Sequence, residues 1–289
     1  MNQNNYKWLI PSRRTSPSID QEREDWDEDH KDYSKNVFSV TQDPAICKTL
    51  IHPSSQFTGY NIPDSPEIQV LIPGCGSKIY LQETLLNFCP HIGQVYCTDL
   101  SPLAIEKAQT KWQQSDSNDR LNNSPLHFEC IDSTKITEQK PAWKNKFDYI
   151  LIVNSVLSLE DELNREMLKE FFKVLKPGGK LYGFFPTVFF LLEIAHLYPD
   201  KAHWITSGVI NIPESASYPP NGKNGQIHYT PLRLNRIFKE VGFKRLSFEI
   251  YFGDSDILIN ALKEYEGIDD PDIFSWEFLV RLEKEVTQN

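Results

Sequence analysis

The chain has 289 residues, of which 39% are hydrophobic, 12% aromatic and 24% charged, and its net charge is −10. That length and balance suit a globular chain able to bury a sizeable core. An acidic chain without a basic stripe argues against nucleic-acid substrates, which require clustered Lys and Arg along a phosphate backbone.

Residues 1–20 are polar, are broken by Pro11 and Pro17, and read as an arm. Residues 20–32, DQEREDWDEDHKD, form a charge-dense run expected to be a solvated helix face anchored by Trp26. Its acids and His30 lack a matching partner cluster, as do Asp269, Asp270 and Asp272, so no metal site is expected. Residues 33–51 begin with aromatics and end in an apolar helical pattern at Ile46, Leu50 and Ile51. A linker containing Pro, Ser and Gly follows to residue 66, which divides the chain into an N-terminal arm and helical cap (1–65) and a main domain (66–289).

Ile68, Val70, Leu71 and Ile72 predict a buried strand that breaks at Pro73-Gly74-Cys75-Gly76. A helix is expected over 77–88, with Ile79, Leu81, Leu85, Leu86 and Phe88 inward. Strand, two-glycine turn and helix make a nucleotide-binding opening, because the backbone can approach a ligand closely at the helix N-terminus. Ile79 replaces the third glycine of a dinucleotide fingerprint. A second strand, 94–98, ends on Asp99, about 20 positions after the glycines, where a ribose-binding carboxylate belongs. Ser101-Pro102 caps a helix with Ala104, Ala108 and Trp112 inward. A third strand, 126–131, ends on Asp132, and a fourth, 147–153, runs into Asn154-Ser155. The helix over 160–175 is expected to bury Leu163, Met167, Phe171 and Leu175.

Residues 181–198 approach membrane-spanning length, but Pro186, Glu193 and His196 favour a fifth strand followed by a hydrophobic helix. The long, turn-rich stretch 186–230 leaves the ligand side of the sheet and reads as a substrate lid. Thr230-Pro231 caps another helix, 244–252 alternates as a strand with Leu246, Phe248, Ile250 and Phe252 on one face, 256–266 suggests an extra helix, and 274–282 is the last strand. The five cysteines contain no C-x-x-C pair and read as reduced thiols, and the N-terminus offers no signal peptide, so a cytoplasmic location is expected.

Gly-x-Gly after a strand, an acid ending the second strand, Asp132, F-D-x-I at 147–150 and L-K-P-G-G at 175–179, in this order, resemble the class I S-adenosylmethionine (SAM)-dependent methyltransferases. The resemblance is good over roughly 66–185. It implies an α/β, doubly wound, Rossmann-like sheet of seven strands with helices on both faces. The last strand would be antiparallel, with an N-terminal helical cap and a lid inserted after strand five. It implies SAM as cofactor, with Gly74, Cys75 and Gly76 at its methionine end, Asp99 on the ribose and Asp132 on the adenine amino group. Leu100 and Ser133 would flank the ring, Asn154 would face the methyl group, and Tyr33 in the cap would help to hold the methionine amine. Ile72 stands where many members carry an acid, and a P-G-C-G turn is also found in small-molecule methyltransferases of the thiopurine and thiol type.

Methyl transfer depends chiefly on alignment, and a base is needed only where the acceptor must lose a proton. His196, His203 and His228 lie in or beside the lid, and His203, next to Trp204, is the first candidate, with His196 second. The expected reaction is methylation of a small molecule or short peptide, natural-product intermediates included, with no nucleic-acid or membrane partner. The competing readings are a SAM-binding interaction module without transfer activity and an NAD-dependent oxidoreductase. Neither the acceptor atom nor the oligomeric state is written in the sequence.

Overall fold

The computed structural model describes residues 18–31, 44–52, 60–115, 124–197, 210–211, 216–217, 225–252 and 275–285. Seven strands form one sheet in the order β3-β2-β1-β4-β5-β10-β9. These are β1 (Gln69–Pro73), β2 (Gln94–Asp99), β3 (Leu126–Cys130), β4 (Phe147–Val153), β5 (Leu175–Pro186), β9 (Lys244–Phe252) and β10 (Ser275–Glu283). The first five run parallel, while β10 is antiparallel to both β5 and β9. The central strands are apolar on both faces because both are covered. Val70 and Leu151 join one core, and Leu71, Ile150 and Ile152 join the other.

Over the first core lie α2 (Pro44–Ile51), α3 (Tyr80–Phe88) and α4 (Pro102–Gln114). Over the second lie α5 (Ile136–Gln139), α6 (Asp161–Val174) and α8 (Pro231–Val241). The expected doubly wound sheet with an antiparallel last strand is therefore present. The insertion after β5 contributes α7 (Val188–Leu197) and a small antiparallel sheet, β6-β7-β8 (Ile210–Asn211, Ala216–Ser217, Gln226–Ile227). Among the described residues no helix is long and apolar enough to cross a membrane.

Several expectations change. The charge-dense run is a helix, α1 (Ile19–Lys31), but one of its faces is docked, with Asp29 and His30 buried. Ile46, Cys47, Leu50 and Ile51 are buried in the first core, with α2 packed on α3. The helix after the turn begins at Tyr80, not residue 77, because Gly74 and Gly76 both have positive φ and Ile79 provides no side-chain cap. On α6 the buried apolar residues are Leu168, Phe171 and Val174, while Leu163 is only half-buried. Leu175 is buried as the first residue of β5. On the edge strand β9, Ile250 and Phe252 are exposed, and Tyr251 on the opposite face is buried against Phe184. The extra helix expected over 256–266 lies outside the described residues.

Candidate active site

The apolar run of β1 ends at Pro73, and the chain must then turn into α3. Gly74 and Gly76 take left-handed backbone, with φ 62° and 65°, a conformation that a Cβ penalises. Space adds a second reason at Gly74, since a Cβ there would lie 2.4 Å from Ser155 Cβ. The turn thus rests directly on the segment that follows β4. The Cys75 N–H donates to Thr98 O (2.9 Å) and ties the turn to β2.

Asp99 closes β2 and accepts from two backbone amides, Gly76 N at Oδ2 (2.8 Å) and Ser101 N at Oδ1 (2.9 Å). Burial raises its pKa, the Ser101 and Gly76 amides oppose that, and nearby Asp27 adds to the rise. An ionised carboxylate has about four acceptor positions, so these two bonds leave capacity for a ligand. Asp132, after β3, is also buried, and its Oδ1 accepts from Thr134 N (2.8 Å) and Thr134 Oγ1 (2.7 Å). Leu100 and Ser133, adjacent to these acids, are half-buried.

At the end of β4, Asn154 has φ 48°, and its N–H donates to Phe184 O (3.1 Å). The Asn154 Nδ2 donates to Glu277 Oε1 at 2.7 Å. Because β10 runs antiparallel, its first residues lie at the carboxyl end of the parallel strands, with Glu277 opposite Pro186 of β5. Glu277 is 6% exposed, and burial pushes its carboxyl up to about 8 against the single bond from Asn154. Asn154 Oδ1, Ser155 Oγ and Glu277 Oε2 are buried without a partner among the described residues.

Two covers meet above this end of the sheet. From one side, α1 bridges the glycine turn and the segment after β4. His30 Nδ1 meets Ser77 Oγ (3.2 Å), Asp27 Oδ1 accepts from Ser101 Oγ and from Leu103 N (3.3 Å), and Glu22 Oε1 accepts from Ser158 Oγ (3.4 Å). Lys107 Nζ donates to the carbonyls of His30 (2.5 Å) and Lys31 (2.9 Å), the unsatisfied end of the helix. Burial lifts Glu22 to about 7 and lowers His30 to about 4. From the other side, the insertion is tied down where Ile227 N donates to Leu157 O (3.0 Å) and Tyr229 Oη to Val156 O (3.1 Å). Both covers therefore land on residues 156–158, immediately beyond Asn154-Ser155.

Residues 71–181 match the family model of a methyltransferase domain. That span, under half of the chain, is similar to methyltransferase domains. The fold is shared with a SAM-dependent methyltransferase of Methanosarcina mazei (TM-score 0.55, 17% identity, covering 78% of this chain and 95% of that one). The Haloferax volcanii protein solved in complex with the Trm112 methyltransferase activator gives 0.56 and 15%, covering 90% and 98%. A protein of Pyrococcus horikoshii OT3 gives 0.56 and 18%, covering 87% and 97%. Comparison with curated proteins by sequence returns no match.

In this chain, Gly74, Cys75, Gly76, Asp99 and Asn154 come to the carboxyl edge of the sheet, and Leu100, Asp132 and Ser133 follow β2 and β3 along that edge. His228 does not read as a base. It is buried, its Nδ1 donates to Thr187 O (3.3 Å), its Nε2 meets Gln226 Nε2 (3.0 Å), and burial lowers it to about 4. Tyr33 and His203 lie outside the described residues, and for His196 only the helical backbone of α7 is described. Sequence reasoning missed His30 and Glu277. His30 was hidden in a run of exposed-looking charges. Glu277 had a readable signal, a lone acid inside the apolar strand sequence FSWEFLVRL.

Proposed function

We propose that this enzyme methylates a small molecule or short peptide held in the recess between the glycine turn, Asn154 and Glu277. The observation that carries this reading is the cluster of buried polar atoms on Asn154, Ser155 and Glu277 that have no partner among the described residues, lying beside Gly74 and beneath two covers. Buried polar groups are normally satisfied, so such a cluster suits a ligand that brings its own hydrogen bonds. Contacts from α1 and from the insertion on residues 156–158 suit a small acceptor beside them better than a folded macromolecule. The net charge of −10 adds nothing to attract a phosphate backbone.

Residues along the same edge fit the cofactor. In this reading Gly74, Cys75 and Gly76 receive the methionine end, where two left-handed glycines leave no Cβ in the way. Asp99 has lone pairs left for the ribose hydroxyls, Asp132 accepts from the adenine amine, and Leu100 and Ser133 flank the ring. His30 adds to the sequence-derived set: its Cε1 is the nearest atom, at 3.8 Å, to where a Gly76 Cβ would be. SAM bound there supplies a methyl group on a positively charged sulfur, and the acidic edge of Asp99, Asp132, Asp27 and Glu22 favours that charge. The chain's own task is alignment, which supplies on the order of 7–11 kcal/mol in well-oriented systems. Of the candidate bases, Glu277 is the one whose side chain is placed at this recess, whereas His196 and His203 remain candidates from sequence. The test is transfer of labelled methyl from SAM in a cell extract divided by ultrafiltration. Label in small molecules of the filtrate is expected, and label confined to the protein and nucleic-acid fraction would contradict the reading.

A further inference from the structure

We infer that the Asn154–Glu277 pair is the acceptor-binding group and that it selects an amine. The inference rests on the small-acceptor reading above and names the class of that acceptor. Three observations carry it. First, Glu277 is more than nine-tenths buried, yet its Oε2 has no partner among the described residues. Second, its Oε1 is engaged by Asn154 Nδ2, and the Asn154 amide oxygen likewise has no partner among the described residues. Third, Asn154 holds a left-handed backbone (φ 48°) at the end of β4, the strand end that rests against the glycine turn through Ser155 and Gly74. Such a backbone is uncommon outside glycine, although Asn tolerates it better than most residues.

The donor and acceptor inventory then chooses the class. With its carboxyl ionised, Glu277 offers only an acceptor at Oε2, and Asn154 Oδ1 is also only an acceptor. A ligand that satisfies both must donate two hydrogen bonds from one position. A primary amine has two N–H groups to give and keeps its lone pair for the methyl carbon, whereas an alcohol or thiol has one hydrogen and leaves one oxygen bare. A carboxylate acceptor would donate none and would face Glu277 with like charge. Burial raises the Glu277 pKa to about 8, so the ionised, acceptor-only form that selects the amine is populated above that pH, and the titration below is made at pH 9.

The neutral amine donates to Glu277 Oε2 and Asn154 Oδ1. The carbon–nitrogen bond forms as the carbon–sulfur bond breaks, and the bonding pair leaves with sulfur as a neutral thioether. The nitrogen, now a methylammonium, gives one proton to Glu277 Oε2, and Glu277 returns it to water as the products depart. Cross-strand from Glu277 stand Pro186 and Tyr251, and Tyr251 packs on Phe184 at 5.1 Å between ring centroids, so an aryl or alkyl body beside the amine has an apolar wall.

The test measures binding, so it does not require the natural substrate. Full-length protein saturated with S-adenosylhomocysteine is titrated calorimetrically with 2-phenylethylamine and, separately, with 2-phenylethanol, for wild type, Glu277→Gln and Glu277→Asp. The amine should bind wild type more tightly than the alcohol by about tenfold or more, the worth of one charge-assisted hydrogen bond. Glu277→Gln should remove that preference, and Glu277→Asp should retain part of it. S-adenosylhomocysteine affinity, measured first for each variant, should change less than about threefold, which reports an intact fold. Absence of amine binding, equal affinity for the two probes, or an amine preference that survives Glu277→Gln overturns the inference. Failure of wild type to bind S-adenosylhomocysteine would instead strike at the cofactor site, so the two failures are distinguishable.

Discussion

Replacing Gly74 with Ala tests the turn on which the site is built. The φ of 62° must be held by a residue with a Cβ, at a cost of about 1–2 kcal/mol. The new Cβ would also lie 2.4 Å from Ser155 Cβ and 3.5 Å from Ser155 Cα. Side chain and backbone at Ser155 must therefore shift, an overpacking penalty of about 1–3 kcal/mol. Gly76→Ala is the matched control, with the same left-handed backbone (φ 65°) but no atom closer than His30 Cε1 at 3.8 Å. Urea unfolding should place Gly74→Ala about 2–5 kcal/mol below wild type and Gly76→Ala about 1–2 kcal/mol below. Adding Ser155→Gly to Gly74→Ala should recover the overpacking part and leave the left-handed cost. Equal losses for the two glycine variants, or no recovery from Ser155→Gly, would refute the packing of the turn against the end of β4.

Asp99→Ala should weaken SAM by at least about tenfold, or 1.4 kcal/mol, in calorimetry, and unchanged affinity would remove Asp99 from the site. Glu22 should make stability fall with rising pH, since its folded pKa of about 7 exceeds its ordinary 4.5 and the folded state holds a proton that the unfolded chain releases between those values. Protection of the α1 amides, taken relative to the intrinsic exchange rate at each pH, should therefore fall from pH 5 to pH 8 in wild type, with Glu22→Gln flattening that trend. Ser101→Ala removes both the acceptor for Ala104 N at the start of α4 and the donor to Asp27. It should cost about 1 kcal/mol through the lost cap, and α1 should exchange faster than in wild type, which thermal melting and hydrogen exchange would check.

The sheet was legible because its strands are short apolar runs that end at chemically distinctive residues. Pro73, Asp99, Asp132 and Asn154 each close a strand or follow it within two residues, so reading the strand ends also located one edge of the site. The roof was not legible, because polarity is a poor guide to burial when charges are paired by tertiary contacts. In α1, Asp27 meets Ser101, His30 meets Ser77, and Lys107 reaches the helix end, all contacts between residues more than 40 positions apart in sequence. Periodicity on α6 was shifted by one residue, since Asn164 and Glu170 are buried by specific partners, Ser158 and Thr137, that a hydrophobic pattern does not record. Glu277 escaped because its role depends on β10 entering antiparallel, which brings a residue near the C-terminus of the chain to the carboxyl end of β4.

The most direct test of the account is a crystal structure of the protein with S-adenosylhomocysteine bound. The account predicts the ribose on Asp99, the adenine beside Asp132, and the sulfur facing the recess formed by Asn154 and Glu277. A ligand whose sulfur faces away from Asn154 and Glu277, or one bound elsewhere on the sheet, would contradict it.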